Sequence, residues 1–376
     1  MSVIPAVPTP AEQFMGRAVA MARQGEGRTA PNPPVGAVLV KDGVIVGEGH
    51  HPAAGEPHAE IFALRAAGKK AHGADLYVTL EPCCHQGRTG PCTEALIAAG
   101  IKRVFFGAVD PNPRMAGQGL NQLREAGIEV VAGPLADDCR RLIAPFAKHV
   151  TSGRPYVILK VAMTLDGQTA TSTGESQWIS SPESRTLVHR LRDRADGVLV
   201  GAGTVLADDP QLTVRLAEGG RNPARIILDG TLRTPAGARV FSAASPGRRL
   251  LVTAADIPAD AAGRHREKGV EIVGVPRRNG QLDLAAVMDA LGACQLQCLL
   301  VEGGGGLSGA LLRAGLVDRL MLFVAPLLLG GCDGRPLLEG AGVTRLADAL
   351  RLNDLRISRV GCDVLLEGEV GPCSPV

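Results

Sequence analysis

Short apolar segments alternate with helix-like segments over residues 11–149, and the alternation starts again at residue 156. The apolar segments are only a few residues long and end at glycine, proline or polar runs, which is typical of strands. Strands alternating with helices predict sheets covered by helices. A polar run with glycine and proline, residues 151–155, separates the two series. We therefore predict two different α/β domains, residues 1–151 and 152–376.

Local signals place several of these elements. Asp42-Gly43 between two apolar segments predicts a β-hairpin. Pro57 before and Gly68 after the segment predict a helix over residues 58–67, and Pro91 predicts a second helix over 92–99. We expect a further helix over residues 136–149. In the second half we expect strands at 156–162, 197–201, 225–228, 250–253, 298–301, 320–324, 355–359 and 364–369, and helices at 182–194, 284–292 and 307–314.

Composition argues against several classes of protein. The formal net charge is +2 and aromatic residues make up 3% of the chain, which disfavours a basic or base-stacking nucleic-acid surface. No apolar run approaches about 18 residues, so no membrane span is expected. The N-terminus lacks the basic and apolar regions of a secretory signal. Together with an odd number of cysteines, nine, this predicts a reducing, cytoplasmic location.

One group of residues has the pattern of a metal site. His58 and Glu60 begin a predicted helix, Cys83 follows a predicted strand after Pro82, and Cys92 opens another helix. One imidazole and two thiolates form a three-ligand zinc set with an open fourth position for water. Glu60 is placed to take a proton from that water and pass it on. Cys84 competes with Cys83 as the ligand, and a structural zinc site or plain core packing is the alternative.

This order of residues resembles the zinc-dependent cytidine and nucleobase deaminases, in which the glutamate is not a ligand. The spacing departs from their usual Pro-Cys-x-x-Cys, because eight residues separate Cys83 from Cys92. The insert is rich in hydrogen-bond donors, and His85 and Arg88 within it suit a phosphate. The insert therefore favours a phosphorylated substrate over a free base.

Two glycine-rich turns in the second half are candidates for nucleotide binding. Residues 201–204 (Gly-Ala-Gly-Thr) and 303–306 (four glycines) each follow a short apolar strand, and the second precedes a predicted helix. Bare backbone amides there could approach a dinucleotide pyrophosphate. No G-x-G-x-x-G follows the first strand of this domain, so flexible turns are the alternative interpretation.

Several longer motifs occur together and in order. They are Pro31-Asn32-Pro33, Gly55-Glu56-Pro57-His58-Ala59-Glu60, Glu81-Pro82-Cys83, Gly87-Arg88-Thr89, Asp110-Pro111-Asn112-Pro113, the run from Lys160 to Gly167, the run from Gly174 to Ile179, the run from Gly201 to Pro210, Leu212-Thr213-Val214-Arg215 and Glu302-Gly303-Gly304. Together they resemble the bifunctional riboflavin-biosynthesis deaminase/reductase family over nearly the whole chain. Thr164 stands where a serine is common and keeps the hydroxyl.

The resemblance implies an α/β fold class, with an N-terminal cytidine-deaminase-like three-layer α/β/α domain and a C-terminal dihydrofolate-reductase-like α/β domain. It implies one Zn²⁺ per deaminase domain, held by His58, Cys83 and Cys92, with Glu60 as proton shuttle, and NADPH in the reductase domain. Substrate contacts in the deaminase domain match Asn32, His51, His85, Arg88 and Asn112. NADPH contacts match Ala162, Trp178, Thr204, Asp208, Gly303, Gly304, Gly305 and Gly306. Substrate contacts in the reductase domain match Ser176, Arg192, Leu212, Arg215 and Glu302.

The expected chemistry is deamination of a pyrimidine ribosylamine phosphate, followed by reduction of its ribosyl chain. We expect Lys160 and Glu302 to handle protons near the sugar, and Arg192 and Arg215 to clamp the phosphate unless they form ordinary salt bridges. Asp166 and Asp208 are alternatively turn or cap residues. The family implies a homo-oligomer through the reductase half, while composition predicts no nucleic-acid or membrane partner. Two competing hypotheses are an RNA-editing deaminase with an RNA-binding second half and a non-catalytic structural zinc protein.

Overall fold

The chain forms two compact units, residues 1–153 and 154–376, in a computed structural model that describes residues 7–86, 90–258 and 260–371. The described part of the first unit contains one five-stranded sheet and six α-helices. Its strands are β1 (Gly36–Lys41), β2 (Val44–His50), β3 (Asp75–Val78), β4 (Arg103–Phe106) and β5 (Glu129–Ala132). Its helices are α1 (Pro10–Ala22), α2 (Ala59–Ala67), α3 (Cys92–Ala98), α4 (Gln118–Glu125), α5 (Ala136–Leu142) and α6 (Ala144–Ser152).

The sheet has the order β2-β1-β3-β4-β5, with β1 antiparallel to both neighbours and β3, β4 and β5 parallel. The predicted hairpin is confirmed, because Asp42 and Gly43 have φ values of 51° and 78°, which matches a tight turn between twisted strands. Apolar side chains of α2, α3 and α4 cover one face of the sheet, and those of α1 and α5 cover the other. The unit therefore has the expected three layers.

Close packing of α2 on β2 sets the position of the N-terminus of α2. Gly47 and Gly49 lie under this helix, and a Cβ at Gly47 would stand 2.3 Å from the carbonyl oxygen of Ala63. Only glycine permits this approach. The helix thus starts at the sheet surface, with His58 as its N-cap residue.

The second unit is built on a nine-stranded sheet with the order β11-β10-β9-β8-β14-β6-β15-β18-β17. Its strands are β6 (Tyr156–Thr164), β7 (Gln168–Ala170), β8 (Gly197–Gly201), β9 (Ala224–Leu228), β10 (Arg249–Ala254), β11 (Glu271–Val275), β12 (Arg277–Arg278), β13 (Gln281–Leu282), β14 (Cys298–Val301), β15 (Arg319–Ala325), β16 (Arg335–Pro336), β17 (Arg351–Val360) and β18 (Asp363–Gly371). Its helices are α7 (Pro182–Arg194), α8 (Ala202–Asp208), α9 (Gly263–Glu267), α10 (Leu284–Ala293) and α11 (Gly305–Arg313).

The first seven strands in this order, ending with β15, are parallel to one another. Strands β18 and β17 add an antiparallel edge. Side chains of α10 and α11 pack on one face, while those of α7 and α8 pack on the other. In open sheets of this kind, ligands bind at the carboxyl ends of the parallel strands. The central strands β8, β14 and β6 bring their ends together there.

Two expectations about local structure were wrong. The helix predicted over residues 136–149 is divided at Ile143, because Pro145 in the first turn of α6 has no N–H to continue the hydrogen bonds of α5. Residues 201–204 were expected to form a glycine-rich turn, but Ala202–Asp208 form helix α8, with Gly201 as its N-cap residue. No helix among the described residues is long and apolar enough to cross a membrane.

Candidate active sites

The three predicted metal ligands come together in the first unit. His58 lies at the N-terminus of α2, Cys83 lies beyond the carboxyl end of β3, and Cys92 is the first residue of α3. The Nδ1 atom of His58 stands 3.4 Å from Sγ of Cys83 and 3.3 Å from Sγ of Cys92. The three ligand atoms all lie within 4.8 Å of one another. The cluster contains Cys83 and not Cys84.

These separations fit zinc. With Zn–S near 2.3 Å and Zn–N near 2.0 Å, tetrahedral sulfur and nitrogen ligands stand about 3.5 Å apart. The backbone N–H of Cys92, at the start of α3, points to Sγ of Cys83 at 3.4 Å, as expected for a thiolate beside a helix N-terminus. A hydrogen bond from the side-chain thiol of Cys92, together with one from His58, lowers the pKa of Cys83 against the opposing effect of burial. The same thiol–thiolate hydrogen bond, together with burial, raises the pKa of Cys92, and a bound dication would reverse this.

Glu60 is the buried acid of this site. It is 3% exposed, and its Oε2 atom has no hydrogen-bond partner among the described residues. Burial, reinforced by the Cys83 thiolate, raises the pKa of Glu60 to about 7. A buried carboxylate with a free oxygen beside a three-ligand set suits a site whose fourth position takes water, since structural zinc sites are usually closed by four protein ligands.

Asn32 and His51 form a hydrogen-bonded pair beside the cluster. Nδ1 of His51 stands 3.0 Å from the carbonyl oxygen of Pro57, and Nε2 stands 3.1 Å from Nδ2 of Asn32. The carbonyl can only accept, so Nδ1 carries the hydrogen and Nε2 accepts from the Asn32 amide. Burial lowers the pKa of His51, which keeps the ring neutral. The His51 ring meets the His58 ring edge-on, with 5.2 Å between centroids.

The other predicted substrate residues of this unit are less closely gathered. His85 is exposed, and Arg88 lies outside the described residues. Asn112 uses its side-chain oxygen in a turn, accepting a hydrogen bond of 3.1 Å from the backbone of Arg114. The sequence reasoning passed over Asp110 and Glu81. Asp110 lies close enough to His85 for their charges to interact, although burial is the main cause of its raised pKa.

A buried ion pair lies at the carboxyl end of β14 in the second unit. Nε and Nη2 of Arg192 donate to the two carboxylate oxygens of Glu302 at 2.6 and 3.0 Å, and Nη1 donates to the carbonyl oxygen of Thr213 at 3.0 Å. The side chains are only 12% and 10% exposed. Burial opposes ionisation of Glu302, but the charge and hydrogen bonds of Arg192 hold its pKa below the usual value. The Arg192 guanidinium is therefore largely enclosed, and Glu302 and Thr213 engage three of its nitrogens.

Lys160, on β6, is half-buried and adds a positive charge to this pair. Burial lowers the pKa of its ammonium group, and the charge of Glu302 partly offsets that effect. Arg215 is exposed, and its Nη1 atom donates to the Thr213 hydroxyl at 3.3 Å. His189, which the sequence reasoning missed, accepts the backbone N–H of Arg215 at 3.3 Å, and burial with Arg192 lowers its pKa to about 4. Leu212 lies in the core, so any substrate contact there would come from its backbone.

The predicted cofactor residues lie around the ends of the central strands. Gly203 and Gly304 follow the adjacent parallel strands β8 and β14, and a Cβ at either would meet no described atom within 4 Å. This open space beside backbone amides fits a dinucleotide pyrophosphate. Gly305 and Gly306 form the first turn of α11, and Gly303 precedes its N-cap residue.

The remaining residues vary in exposure. Thr204 is half-buried in the first turn of α8, and Asp208 is the exposed last residue of that helix. Ala162 is a partly buried residue of β6, and Ser176 is half-buried. Trp178 is 64% exposed, with the Arg185 guanidinium 4.7 Å from its ring centroid. Asp166 makes a loop contact: it accepts hydrogen bonds from the Thr164 hydroxyl and from the backbones of Leu329 and Gly330.

A zinc-type deaminase unit and a dihydrofolate-reductase-like unit on one chain define a bifunctional deaminase–reductase. Residues 8–108 match the family model of the cytidine and deoxycytidylate deaminase zinc-binding region, and residues 155–366 match that of the RibD C-terminal domain. The riboflavin biosynthesis protein RibD of Escherichia coli (strain K12) is 45% identical over 367 residues, which cover 94% of this chain and 98% of the relative. The chain belongs to the RibD family of riboflavin biosynthesis proteins.

Solved structures agree with this assignment. Acinetobacter baumannii RibD, form 1, has a TM-score of 0.84 and 39% identity, covering 96% of this chain and 99% of that one. A diaminohydroxyphosphoribosylaminopyrimidine deaminase/5-amino-6-(5-phosphoribosylamino)uracil reductase from Thermotoga maritima has a TM-score of 0.82 and 38% identity, covering 97% and 99%. The comparisons give no support to the RNA-editing alternative.

Proposed function

We propose that the first unit hydrolytically deaminates 2,5-diamino-6-(5-phosphoribosylamino)pyrimidin-4(3H)-one. We propose that the second unit then reduces the ribosyl chain with NADPH, giving 5-amino-6-(5-phosphoribitylamino)uracil. One observation carries the proposal: Glu60, with a free buried oxygen, stands beside the His58–Cys83–Cys92 cluster in a chain whose other half carries the Arg192–Glu302 pair with Lys160 next to it.

The chain's own residues account for the proton transfers in deamination. His58, Cys83 and Cys92 would hold a zinc ion, which when bound would supply a water of lowered pKa. Glu60 accepts a proton from the attacking water and donates it to the leaving amine, which departs as ammonia. A pKa near neutrality, raised mainly by burial, suits both directions of this transfer.

Asn32 and His51 orient the pyrimidine. Because Nδ2 of Asn32 donates to His51, its Oδ1 atom is free to accept from an amino group or ring N–H of the substrate. His85, Arg88 and Asn112 are proposed to hold the ribose phosphate.

The second unit supplies orientation and charge for the reduction. NADPH, when bound, would supply the hydride for reduction of the ring-opened ribosylamine. Ala162, Trp178, Thr204, Asp208 and the glycines at 303–306 are proposed to hold the cofactor. Lys160 and Glu302 manage protons at the sugar, and Glu302 is held in place by Arg192.

Other substrate contacts of the second unit are proposed at Ser176, the backbone of Leu212 and Arg215. Arg215 is exposed and suits the phosphate better than Arg192, whose guanidinium is engaged by Glu302 and Thr213.

We also propose that the second unit forms a homo-oligomer. Strand β17 is at the edge of the nine-stranded sheet, and its Leu355 and Ile357 side chains are 53% and 68% exposed. Apolar side chains on an exposed edge favour association with another copy.

We also propose a cytoplasmic location without a nucleic-acid partner. The free thiols of all eight described cysteines support the location, and the net charge of +2 supports the absence of a nucleic-acid partner.

A coupled assay tests the two activities. The purified protein is supplied with the diaminopyrimidinone ribosylamine phosphate, and ammonia release and NADPH oxidation are followed with and without a zinc chelator. Ammonia should appear first, NADPH should then be consumed, and chelation should stop both. NADPH oxidation should resume in the chelated enzyme when the deaminated intermediate is supplied. Absence of ammonia release from zinc-loaded protein would overturn the deaminase assignment.

A further inference from the structure

A buried carboxylate that the proposed mechanism does not use lies directly beside the metal cluster. Glu81 is 6% exposed and stands two residues before the ligand Cys83. Its backbone N–H continues the sheet pairing through the carbonyl oxygen of Ala108, at 2.8 Å. The Glu81 side chain is therefore held at the same sheet edge as the zinc site.

Among the described residues, this carboxylate accepts hydrogen bonds from backbone amides of one segment, residues 110–120. Oε2 accepts from the N–H groups of Asp110 at 3.1 Å and Gly117 at 2.9 Å. Oε1 accepts from the N–H groups of Gly119 at 2.9 Å and, more weakly, Leu120 at 3.4 Å. The last two amides belong to the first turn of α4, whose unpaired N–H groups favour a negative charge.

These bonds close a loop at both of its ends. Asp110 begins the loop and Gly117 ends it, and Asn112, a proposed substrate residue, lies between them. Inside the loop, the side-chain oxygen of Asp110 accepts from the backbone of Asn112 at 2.8 Å. The first turn of α4, directly after the loop, also packs against the peptide before Cys83. A Cβ at Gly119 in this turn would stand 2.0 Å from the carbonyl oxygen of Pro82. The loop is thus tied to the ligand-bearing segment through Glu81 and by this close contact.

We propose that Glu81 is a positioning residue that fixes the 110–120 segment so that the deaminase site can hold the ribose phosphate end of its substrate. The reacting ring is managed by Glu60 and the metal cluster, so Glu81 acts on substrate affinity more than on the chemical step. This inference rests on the proposed deaminase function.

The test compares Glu81→Gln with Glu81→Asp and with the control Glu125→Gln. Gln keeps the shape but replaces one acceptor oxygen by an NH₂ group that faces backbone donors, while Asp keeps the charge on a shorter side chain. Glu125 is the exposed last residue of α4, in the same unit. Each protein is assayed for deaminase KM and kcat, zinc content, and reductase activity on the deaminated intermediate, which reports folding of the rest of the chain.

Glu81→Gln should raise the deaminase KM about tenfold or more, with kcat changed less than about threefold and with full zinc content and reductase activity. The deaminase KM of Glu81→Asp should lie between those of Glu81→Gln and the wild type. The KM of Glu125→Gln should match that of the wild type. An unchanged KM would overturn the proposal. A fall in kcat that parallels zinc loss would also overturn it, since Glu81 would then act by holding Cys83.

Hydrogen exchange of the wild-type holoenzyme gives an independent test that does not require a folded variant. The amides of Asp110, Gly117 and Gly119 should be protected about a hundredfold or more relative to unstructured peptide, and Glu81→Gln should accelerate their exchange. Fast exchange of these amides in the wild type would show that Glu81 does not fix the 110–120 segment and would overturn the proposal. A wild-type protein without deaminase activity but with protected amides would instead refute the proposed function and leave the contact intact.

Discussion

Replacing Glu302 by Gln should destabilise the second unit far more than removing an exposed carboxylate from the same unit. Glu302 and Arg192 form a bidentate pair whose side chains are 10% and 12% exposed. Two unit charges about 4 Å apart at an effective dielectric constant of about 20 attract by about 4 kcal/mol. Breaking such a buried pair typically costs about 3–5 kcal/mol, because an uncompensated charge remains. Lys160 also loses its neighbouring negative charge, so we expect the free energy of unfolding to fall by about 3 kcal/mol or more.

Urea denaturation followed by tryptophan emission measures this change in the correct unit. Trp178 is the only tryptophan of the chain and lies in the second unit, so its signal reports the unfolding of residues 154–376. A loss of about 3 kcal/mol should lower the urea midpoint by about 1 M or more. The control Asp289→Asn breaks an exposed pair with Arg154, at 2.6 Å, and should cost less than about 0.5 kcal/mol.

A second variant separates the lost pair from the stranded charge. Adding Arg192→Met to Glu302→Gln removes the unpaired guanidinium and should recover part of the lost free energy of unfolding. If Glu302→Gln and Asp289→Asn lowered stability equally, the burial argument for this pair would be refuted. A double variant less stable than Glu302→Gln alone would show that the guanidinium stabilises the unit even without Glu302.

Two further predictions concern the first unit. Glu60→Gln should lower ammonia release by at least about a hundredfold, because the proton shuttle is lost. Metal analysis should show that zinc stays bound, and the reductase should still use the deaminated intermediate. If ammonia release survived the change, Glu60 would not be the proton shuttle. His51→Phe should raise the deaminase KM by about tenfold, because the Asn32 amide loses its acceptor. The control His50→Phe should change the KM little. An equal rise in both variants would contradict the role of His51 in holding Asn32.

Much of the fold followed from local signals in the sequence. The Asp42-Gly43 turn, the helix over Pro182–Arg194 and the strands Gly197–Gly201 and Cys298–Val301 were predicted with their boundaries or nearly so. Turn glycines, N-terminal prolines and short apolar runs act within a few residues, so they can be interpreted without the fold. The broken helix at Ile143 shows the limit, because a single proline outweighed the apolar pattern around it.

The candidate sites divide in the same way. His58, Glu60, Cys83 and Cys92 were recognisable because metal ligands and acids have a restricted chemistry and stand at predictable ends of helices and strands. The Nδ1 atom as the histidine ligand, and the exclusion of Cys84 from the cluster, depend on side-chain directions that spacing does not specify.

The sequence by itself determined the family, the order of the two units and the types of residue in each site, since these depend on composition, local patterns and motifs. Only the tertiary structure showed that Glu302 holds Arg192 across 110 positions of chain, and that Glu81 accepts from amides up to 39 positions away. Both depend on which buried charges the fold brings together. A buried charge requires a partner within a few ångströms, and that partner is chosen by the packing of strands and helices and not by nearness in sequence.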